Sequence, residues 1–316
     1  MSNQRILITG ASGFIGSKLT HKLVKLGHTP HLLVRPQSDL TPIKTLVNKT
    51  KLHYIDIADR EAFFATVSTI NPHVIYHLAG SGVYSYTQLS PTNIQAILDT
   101  NIQGTTNLFQ ASKYLTSLKV FINTGSSFEY GNSKHPFSET SLPNPSNIYG
   151  ASKVYTTNLA KIFAINEKLP VITLRPFTVY GPGEKESRFI STVIRQCLSN
   201  LNPQLTKQTI IRDYVYIDDL VDAYIASEKV GDKLSGNVFN ICTGIATTTS
   251  EIATTIMKLT NKENLQLEIG GFPKRTGEVI SLVGNPELSK KLLNWSPSTP
   301  LKEGIQKTID WIKQHP

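Results

Sequence analysis

The sequence has few cysteines and no long apolar run. Only Cys197 and Cys242 occur among 316 residues, which excludes a disulfide framework and a zinc site built on cysteines. We expect both thiols to be small buried side chains. No apolar run reaches the roughly 18 to 20 residues that span a bilayer, and the first ten residues lead into a strand pattern without the apolar segment of a secretory leader. We therefore expect a cytoplasmic protein with no membrane partner.

Positive charge is in excess but is not clustered. The chain carries 32 Lys and Arg against 23 Asp and Glu, and no run of basic residues is longer than two. A nucleic-acid-binding protein usually concentrates its basic residues in a patch or along a helix. We predict no nucleic-acid partner, whereas the same excess charge would suit an anionic small substrate.

Short apolar segments recur at even spacing along the first half of the chain. Those predicted to be buried strands are 5–9, 31–34, 51–55, 74–78, 120–123 and 171–174. Segments with helical spacing of apolar residues lie between them, namely 15–26, 97–115 and 149–165. This alternation predicts an α/β fold, a Rossmann-like doubly wound parallel sheet. After about residue 176 the pattern becomes irregular, and a final amphipathic helix is predicted at 301–314.

A glycine-rich loop joins the first predicted strand to the first predicted helix. Small residues there let the backbone approach a pyrophosphate, and the helix N-terminus stabilises its charge. The predicted cofactor-binding residues of this loop are Gly10, Ser12, Gly13, Phe14, Ile15 and Gly16.

We assign residues 1–176 to a dinucleotide-binding domain, with return segments near 210–244. Residues 177–316 are mainly a smaller α/β substrate lobe.

The end of the second strand favours a phosphorylated cofactor. An NAD site usually places an acid there to accept hydrogen bonds from the ribose 2′-hydroxyl, whereas a 2′-phosphate needs a cation. Val34 occupies the acidic position and Arg35 follows it. We predict NADP(H) rather than NAD(H), the alternative being that Arg35 is a solvated surface residue.

Further motifs follow the glycine loop in a fixed order. They are Asp56-Ile57, His77-Leu78-Ala79-Gly80, Asn101, 124–131, Tyr149-Gly-Ala-Ser-Lys153, Leu174-Arg175-Pro176, 179–183 and 212–219. With them the whole chain resembles the extended short-chain dehydrogenase/reductase family, and more narrowly its nucleotide-sugar epimerases, dehydratases and ketoreductases. The resemblance implies a nucleotide-sugar substrate. It also implies a homodimer formed through helices near 94–116 and 149–166.

The resemblance also implies roles for single residues. Those that match its cofactor-contacting positions are Asp56 and Ile57 at the adenine, Leu78, Ala79 and Gly80 along the cofactor, and Asn101 as a structural asparagine on the fourth helix. Arg212 and Arg275 match arginines that bind the substrate diphosphate, for which a planar, always-charged guanidinium is well suited. Thr178 stands where many relatives have an asparagine near the substrate phosphates.

Two Tyr-x-x-x-Lys patterns occur, Tyr130/Lys134 and Tyr149/Lys153. The first lies in a predicted loop, where the spacing fixes no mutual orientation. The second opens a strongly periodic helix, whose residues i and i+4 share one face. An ammonium beside a phenol favours the phenolate and assists proton transfer. We therefore predict Tyr149 as general acid/base and Lys153 as its electrostatic partner. The resemblance places both against the cofactor, with Lys153 on the nicotinamide ribose.

The third catalytic group should be a hydroxyl at a strand end, where it can donate to the substrate carbonyl oxygen. Counting back from Tyr130-Gly131, the Ser/Thr of the family falls on Ser126. Ser127 is its neighbour and a predicted substrate contact, and Thr124 is a weaker candidate. A serine that merely caps a turn is the alternative interpretation of Ser126.

The residues after Ser126 distinguish the reactions within the family. Sugar 4,6-dehydratases carry Asp and Glu there, whereas this chain has Ser127 and Phe128, and strand alternation would point Glu129 elsewhere. The string resembles reductases of nucleotide-linked 4-keto-6-deoxysugars, and Arg35 fits a net reductase that draws on NADPH. A nucleotide-sugar epimerase without net redox change stays open as the alternative. The nucleotide of the substrate (CDP, dTDP, GDP or UDP) also stays open. A non-enzymatic cofactor sensor would usually lack the tyrosine and lysine.

Overall fold

Short apolar strands alternate with amphipathic helices over the first half of the chain. The computed structural model describes residues 4–82, 90–272 and 279–315. The strands are β1 (Ile6–Thr9), β2 (His31–Val34), β3 (Lys51–Tyr54), β4 (Val74–His77), β5 (Val120–Thr124), β6 (Val171–Pro176), β7 (Thr178–Tyr180), β8 (Gln204–Thr206), β9 (Ile211–Arg212), β10 (Tyr214–Tyr216), β11 (Val238–Ile241), β12 (Thr247–Thr248), β13 (Glu268–Phe272) and β14 (Ser281–Leu282).

The α-helices include three of the four helical segments expected from periodicity. They are α1 (Phe14–Lys25), α2 (Arg60–Ile70), α3 (Pro91–Ile97), α4 (Thr105–Ser112), α5 (Ile148–Asn166), α6 (Phe189–Leu198), α7 (Ile217–Glu228), α8 (Thr249–Leu259), α9 (Glu287–Leu292) and α10 (Leu301–Gln314). The single helix predicted over 97–115 is instead divided, because a π-helical segment (Leu98–Gly104) joins α3 to α4.

Among the described residues, no helix has both the length and the apolar character needed to cross a membrane.

Seven strands form one parallel sheet in the order β11-β6-β5-β4-β1-β2-β3. This confirms the Rossmann-like fold. Successive residues of each strand face opposite sides. Ile6 and Ile8 accordingly pack in one core cluster and Leu7 in the other. The strand order reverses between β1 and β4, and at such a point the loops after neighbouring strands diverge and leave a cleft.

The later part of the chain forms small sheets beside the large one. β7 pairs with β10, β13 pairs with β8, and β12, β9 and β14 form a three-stranded sheet. Asp213, between β9 and β10, is buried and accepts hydrogen bonds from the Thr243 and Gly244 amides, each at 2.8 Å. These hydrogen bonds hold the chain between β9 and β10 against the segment after β11. Cys197 and Cys242 are buried free thiols, as predicted.

Candidate active site

A cavity of about 1660 Å³ lies where the carboxyl ends of β1, β4 and β5 meet the smaller sheets. Its walls come from the glycine loop, the segment after β4, the segment after β5, the start of α5, and the β7–α6 region. The predicted site residues that line it are Gly10, Ser12, Gly13, Phe14, Ile15, Gly16, Arg35, Ile57, Leu78, Ala79, Gly80, Ser126, Ser127, Tyr149, Lys153, Thr178 and Arg212. Residues far apart in sequence therefore meet at one cavity.

The backbone of the glycine loop packs closely against the segment after β4. Gly10 has φ +69°, and a Cβ there would lie 2.6 Å from the Ala79 nitrogen. A side chain at this position is thus excluded both by conformation and by space. Gly13 caps α1 without a side-chain hydrogen bond. Gly13, Phe14 and Ile15, at the N-terminus of α1, line the cavity, and a helix N-terminus beside a glycine-rich loop fits the pyrophosphate of a dinucleotide.

The end of β2 carries both a cation and an acid. Arg35 is exposed and lines the cavity, so its place beside a ribose phosphate and the alternative of a solvated surface residue both stay open. Asp39 lines the same wall, and its carboxylate accepts a hydrogen bond from the Thr41 amide at 2.9 Å. The sequence analysis did not consider Asp39, which lies five residues beyond the strand.

Two residues matched to cofactor contacts do not line the cavity. The Asp56 carboxylate accepts a hydrogen bond from the Ala58 amide at 2.9 Å. Asn101 is fully buried in the π-helical segment. Its side chain donates to the Ser81 carbonyl and to Ser152 Oγ, both at 2.9 Å, and accepts from the Ser81 amide at 2.7 Å. Asn101 therefore connects the segment after β4 to α5, the structural role implied by the resemblance.

Tyr149 and Lys153 lie one turn apart at the start of α5. Asn147 caps this helix by accepting from the Gly150 amide at 2.8 Å. Lys153 Nζ lies 5.9 Å from the centre of the Tyr149 ring and donates to the Thr124 carbonyl at 2.9 Å. Burial lowers the pKa of Lys153 to about 8, and the charge of Glu129 opposes this shift. The helix and the shared face match the prediction.

Ser126 both lines the cavity and caps a turn. The chain after β5 forms a short 3-10 turn, Ser127–Glu129, and Ser126 Oγ accepts from the Phe128 amide at 3.2 Å. Because this bond uses the oxygen as acceptor, the hydroxyl proton stays available for donation. The cap that was the alternative interpretation of Ser126 is therefore present, and because Ser126 also lines the cavity, its catalytic role stays a prediction.

Glu129 lies in the 3-10 turn, so the argument from strand alternation does not apply to it. Its buried carboxylate accepts from the Ser126 amide at 2.8 Å, from Thr157 Oγ1 at 3.0 Å and from Arg175 Nε at 2.9 Å. Burial raises the pKa of Glu129, and the Arg175 guanidinium opposes this shift. Glu129 does not line the cavity but supports the Ser126 backbone from below. No local pattern in the sequence indicated this pair.

Tyr130 belongs to the same buried network. Its hydroxyl accepts from Arg175 Nη1 at 2.7 Å and donates to Asn240 Oδ1 at 2.8 Å. Lys134 is exposed. The structure therefore separates the Tyr130/Lys134 pattern from the cavity and leaves Tyr149/Lys153 as the pair that lines it.

His77 is buried close enough to Lys153 to be influenced by its charge. Its ring nitrogens are 2.7 Å from Thr9 Oγ1 and 2.8 Å from Thr105 Oγ1. Burial, followed by the charge of Lys153, lowers the pKa of His77 to about 3. The imidazole is therefore neutral near pH 7, so Lys153 has no cationic neighbour in His77.

Arg212, a predicted contact of the substrate diphosphate, lines the cavity, and its Nη1 donates to the Ile211 carbonyl at 2.9 Å. Arg275 lies outside the described residues. Two further residues of the wall were missed by the sequence analysis, Glu184 and Arg188. Arg188 Nε donates to Glu184 Oε1 at 3.0 Å. The only signal for them in the sequence was charge within a loop rich in Pro and Gly.

The chain matches one protein family and is similar to several known proteins and solved structures. The profile of the NAD dependent epimerase/dehydratase family matches residues 6–242. The chain is similar to a probable UDP-glucuronate 4-epimerase of Rhizobium meliloti, with 26% identity over 98% of this chain and 97% of the relative. It is also similar to the GDP-6-deoxy-D-mannose reductase of Pseudomonas aeruginosa, with 27% identity over 98% and 97%. The crystal structure of UDP-glucuronic acid 4-epimerase from Bacillus cereus, in complex with UDP-glucuronic acid and NAD, superposes with a TM-score of 0.88. That alignment has 27% identity and covers 99% of this chain and 100% of the other.

Proposed function

Because the chain belongs to the NAD dependent epimerase/dehydratase family, we propose that it is an enzyme acting on a nucleotide-linked sugar. We propose further that it reduces the C4 keto group of a nucleotide-linked 4-keto-6-deoxyhexose with NADPH, giving a deoxysugar nucleotide for glycan or secondary-metabolite biosynthesis. The observation that carries this is the wall after β5. It presents Ser126, Ser127 and Phe128 to the cavity, whereas the one acid of that segment, Glu129, is bound to Arg175 beneath it.

The residues of the chain perform the proton chemistry of this reduction. When bound, the nicotinamide cofactor supplies a hydride for C4. The Tyr149 hydroxyl donates its proton to the C4 oxygen, so that the ketone, the hydride and the proton give an alcohol. Ser126 donates a hydrogen bond to the same oxygen as its negative charge develops. Lys153, held by the Thr124 carbonyl, stabilises the phenolate left on Tyr149.

Purified protein with NADPH and a panel of nucleotide-linked 4-keto-6-deoxyhexoses tests the reaction. We expect one NADPH oxidised per sugar reduced, followed by nicotinamide absorbance. In Tyr149→Phe we expect NADPH to bind with unchanged affinity while turnover falls about 10²- to 10⁴-fold, the usual contribution of a positioned acid. Normal turnover in this variant would refute the role of Tyr149.

An epimerase is the second candidate, favoured by the names of relatives such as that of Rhizobium meliloti. It would interconvert a nucleotide sugar at C4 without net oxidation of the cofactor. Isomerisation of a non-keto nucleotide sugar in the same assay, with no change in nicotinamide absorbance, would establish this activity and remove the argument from Arg35 to net reduction.

The preference for NADP(H) over NAD(H) is a proposal supported by Arg35 alone, since the Bacillus cereus structure contains NAD. We predict that Arg35→Asp weakens NADPH binding about tenfold or more, because a charge-assisted contact to the 2′-phosphate is lost, and weakens NADH binding little. The control is Asp39→Asn on the same wall, in which NADPH should stay preferred. Dissociation constants for both cofactors measure this, and an unchanged ratio in Arg35→Asp would mean that Arg35 is only a surface residue.

The roles of the two parts of the chain and the oligomeric state are proposals as well. We propose that residues 1–176, with return segments near 210–244, hold the cofactor and that residues 177–316 mainly hold the nucleotide sugar. The return of β11 to the edge of the large sheet supports the first part. We further propose a homodimer, located in the cytoplasm, that pairs the helices near 94–116 and 149–166.

A further inference from the structure

Lys18 is a cation on the cavity wall that the proposed mechanism does not use. It lies in the second turn of α1, is half-buried and lines the cavity next to the glycine loop. Within the parts of the chain that the structure describes, its ammonium forms no ion pair and no hydrogen bond. Lys22, one turn further along the same helix, instead lies 2.7 Å from the Asp222 carboxylate. Because desolvated charges in proteins are usually paired, Lys18 indicates a site for an anion.

The place of Lys18 on α1 brings its charge within reach of the helix N-terminus. The helix begins at Phe14, so the two Cα atoms are about 6 Å apart along the axis. Side chains on an α-helix lean towards its N-terminus, and a lysine carries its charge on a flexible four-carbon stem. Phe14, Lys18 and His21 follow one another along one face of α1, and all three line the cavity. The ammonium therefore adds a full charge to the positive end of the helix dipole.

The connection from β7 to α6 lies beside this side chain without neutralising it. A Cβ built on Gly183 would lie 3.7 Å from Lys18 Cε and 4.0 Å from its Nζ, and Gly183 lines the same cavity. The two acids of the connection, Glu184 and Glu186, are each paired with an arginine. The end of the lysine is thus placed between the helix of the glycine loop and a backbone segment that offers it no counter-charge.

The electrostatics of Lys18 favour a bound anion. Burial lowers the pKa of Lys18, and the charge of Asp218, which forms no ion pair with it, only partly opposes this shift. The ammonium is therefore less stabilised in this position than it is in water. A phosphate beside it would stabilise the charged form through a charge-assisted hydrogen bond.

We propose that Lys18 binds the pyrophosphate of the nicotinamide cofactor by donating a hydrogen bond from Nζ to a phosphate oxygen. This inference rests on the proposed function for its cofactor but not for the sugar that is reduced. The nucleotide sugar also carries a diphosphate, but Arg212, its predicted ligand, lies on β9 of the smaller sheets, whereas Lys18 lies on the helix of the glycine loop. Because the pyrophosphate is common to NADP(H) and NAD(H), Lys18 should contribute equally to both, unlike Arg35.

The test compares Lys18→Gln with Lys22→Gln, which removes the same charge from the same helix. We expect Lys18→Gln to weaken binding of NADPH, NADH and ADP-ribose about ten- to hundredfold each, as for loss of a hydrogen bond to a charged group, because all three contain the pyrophosphate. Lys22→Gln should change each affinity less than about twofold, since that charge is exposed and already paired with Asp222. Lys18→Arg keeps the charge and should bind all three ligands more tightly than Lys18→Gln. Thermal unfolding shows whether each variant is folded.

The pattern of losses identifies the group that Lys18 binds. A loss confined to NADPH would place Lys18 at the 2′-phosphate, and a loss confined to the nucleoside diphosphates CDP, dTDP, GDP and UDP would place it at the substrate. Either result overturns the inference, as do unchanged affinities in Lys18→Gln or equal losses in Lys18→Gln and Lys22→Gln. All of these outcomes leave the proposed function standing. If the wild-type protein binds neither NADPH nor NADH, the proposed function is wrong and the inference is wrong with it.

Discussion

At the scale of single residues, the fully buried ion pair of Glu129 and Arg175 supports the candidate catalytic serine. The Arg175 and Glu129 side chains are 3% and 0% exposed, and Arg175 Nη2 lies 2.7 Å from Glu129 Oε2. Glu129 also holds the Ser126 amide. The serine backbone is therefore fixed by a charge that has no access to water.

We predict that Glu129→Gln destabilises the protein by about 3–5 kcal/mol, because it leaves the Arg175 guanidinium buried without a counter-charge. Unfolding in denaturant measures this. The control is Glu303→Gln, which removes an ion pair with Lys307 whose side chains are about half exposed; its cost should stay below about 1 kcal/mol. Equal costs for the two variants would show that burial of the Glu129 pair adds nothing to stability.

The same scale shows which parts of the site a sequence can reveal. Tyr149 and Lys153 are four residues apart on one helix, so their contact follows from helical geometry. Glu129 and Arg175 are 46 residues apart and meet only because β5 and β6 are neighbours in the sheet. Glu184 resembles any acid in a loop until its burial is known. Site residues whose roles depend on contacts between distant elements were therefore missed by the sequence analysis.

At the scale of elements, prediction succeeded where the pattern is local and repeated. Six strands of the large sheet, β1 to β6, and the terminal helix α10 lie within two residues of the predicted bounds, because a strand buried on both faces leaves a short apolar run and a helix buried on one face leaves a helical period. The seventh strand of that sheet, β11, was not predicted. The strands of the smaller sheets, such as β9 with two residues, are set by tertiary pairing and leave no period to detect.

The helix predicted over 97–115 shows a further limit at this scale. Apolar periodicity does not reveal a π-helical turn, which adds one residue to the hydrogen-bonded loop. That turn holds Asn101, whose amide binds both the segment after β4 and α5. It ends at Gly104, where a Cβ would overlap the Ile57 side chain. The irregular segment thus joins the cavity wall after β4 to α5, which carries Tyr149 and Lys153.

At the scale of the whole molecule, one helical face carries apolar side chains that the single chain does not cover. On α5 these are Tyr155, Ile162 and Ile165, which are 39%, 51% and 66% exposed and lie at spacings that share a face. Tyr114, just after α4, is 72% exposed. Thr106 Oγ1 and the Tyr155 hydroxyl, 3.0 Å apart, join α4 to α5. Clustered exposed apolar groups mark a surface for association.

We predict that Ile162→Glu converts a homodimer into monomers of 34.9 kDa, because two isologous faces would each bury a charge against the other. Ile245 offers a matched control, since it is 65% exposed and lies in the connection from β11 to β12. Ile245→Glu should leave the dimer intact. Sedimentation equilibrium at micromolar concentration measures both masses. Dissociation by both substitutions, or by neither, would contradict an interface on α5, and a monomeric wild-type protein would show that this face has another occupant.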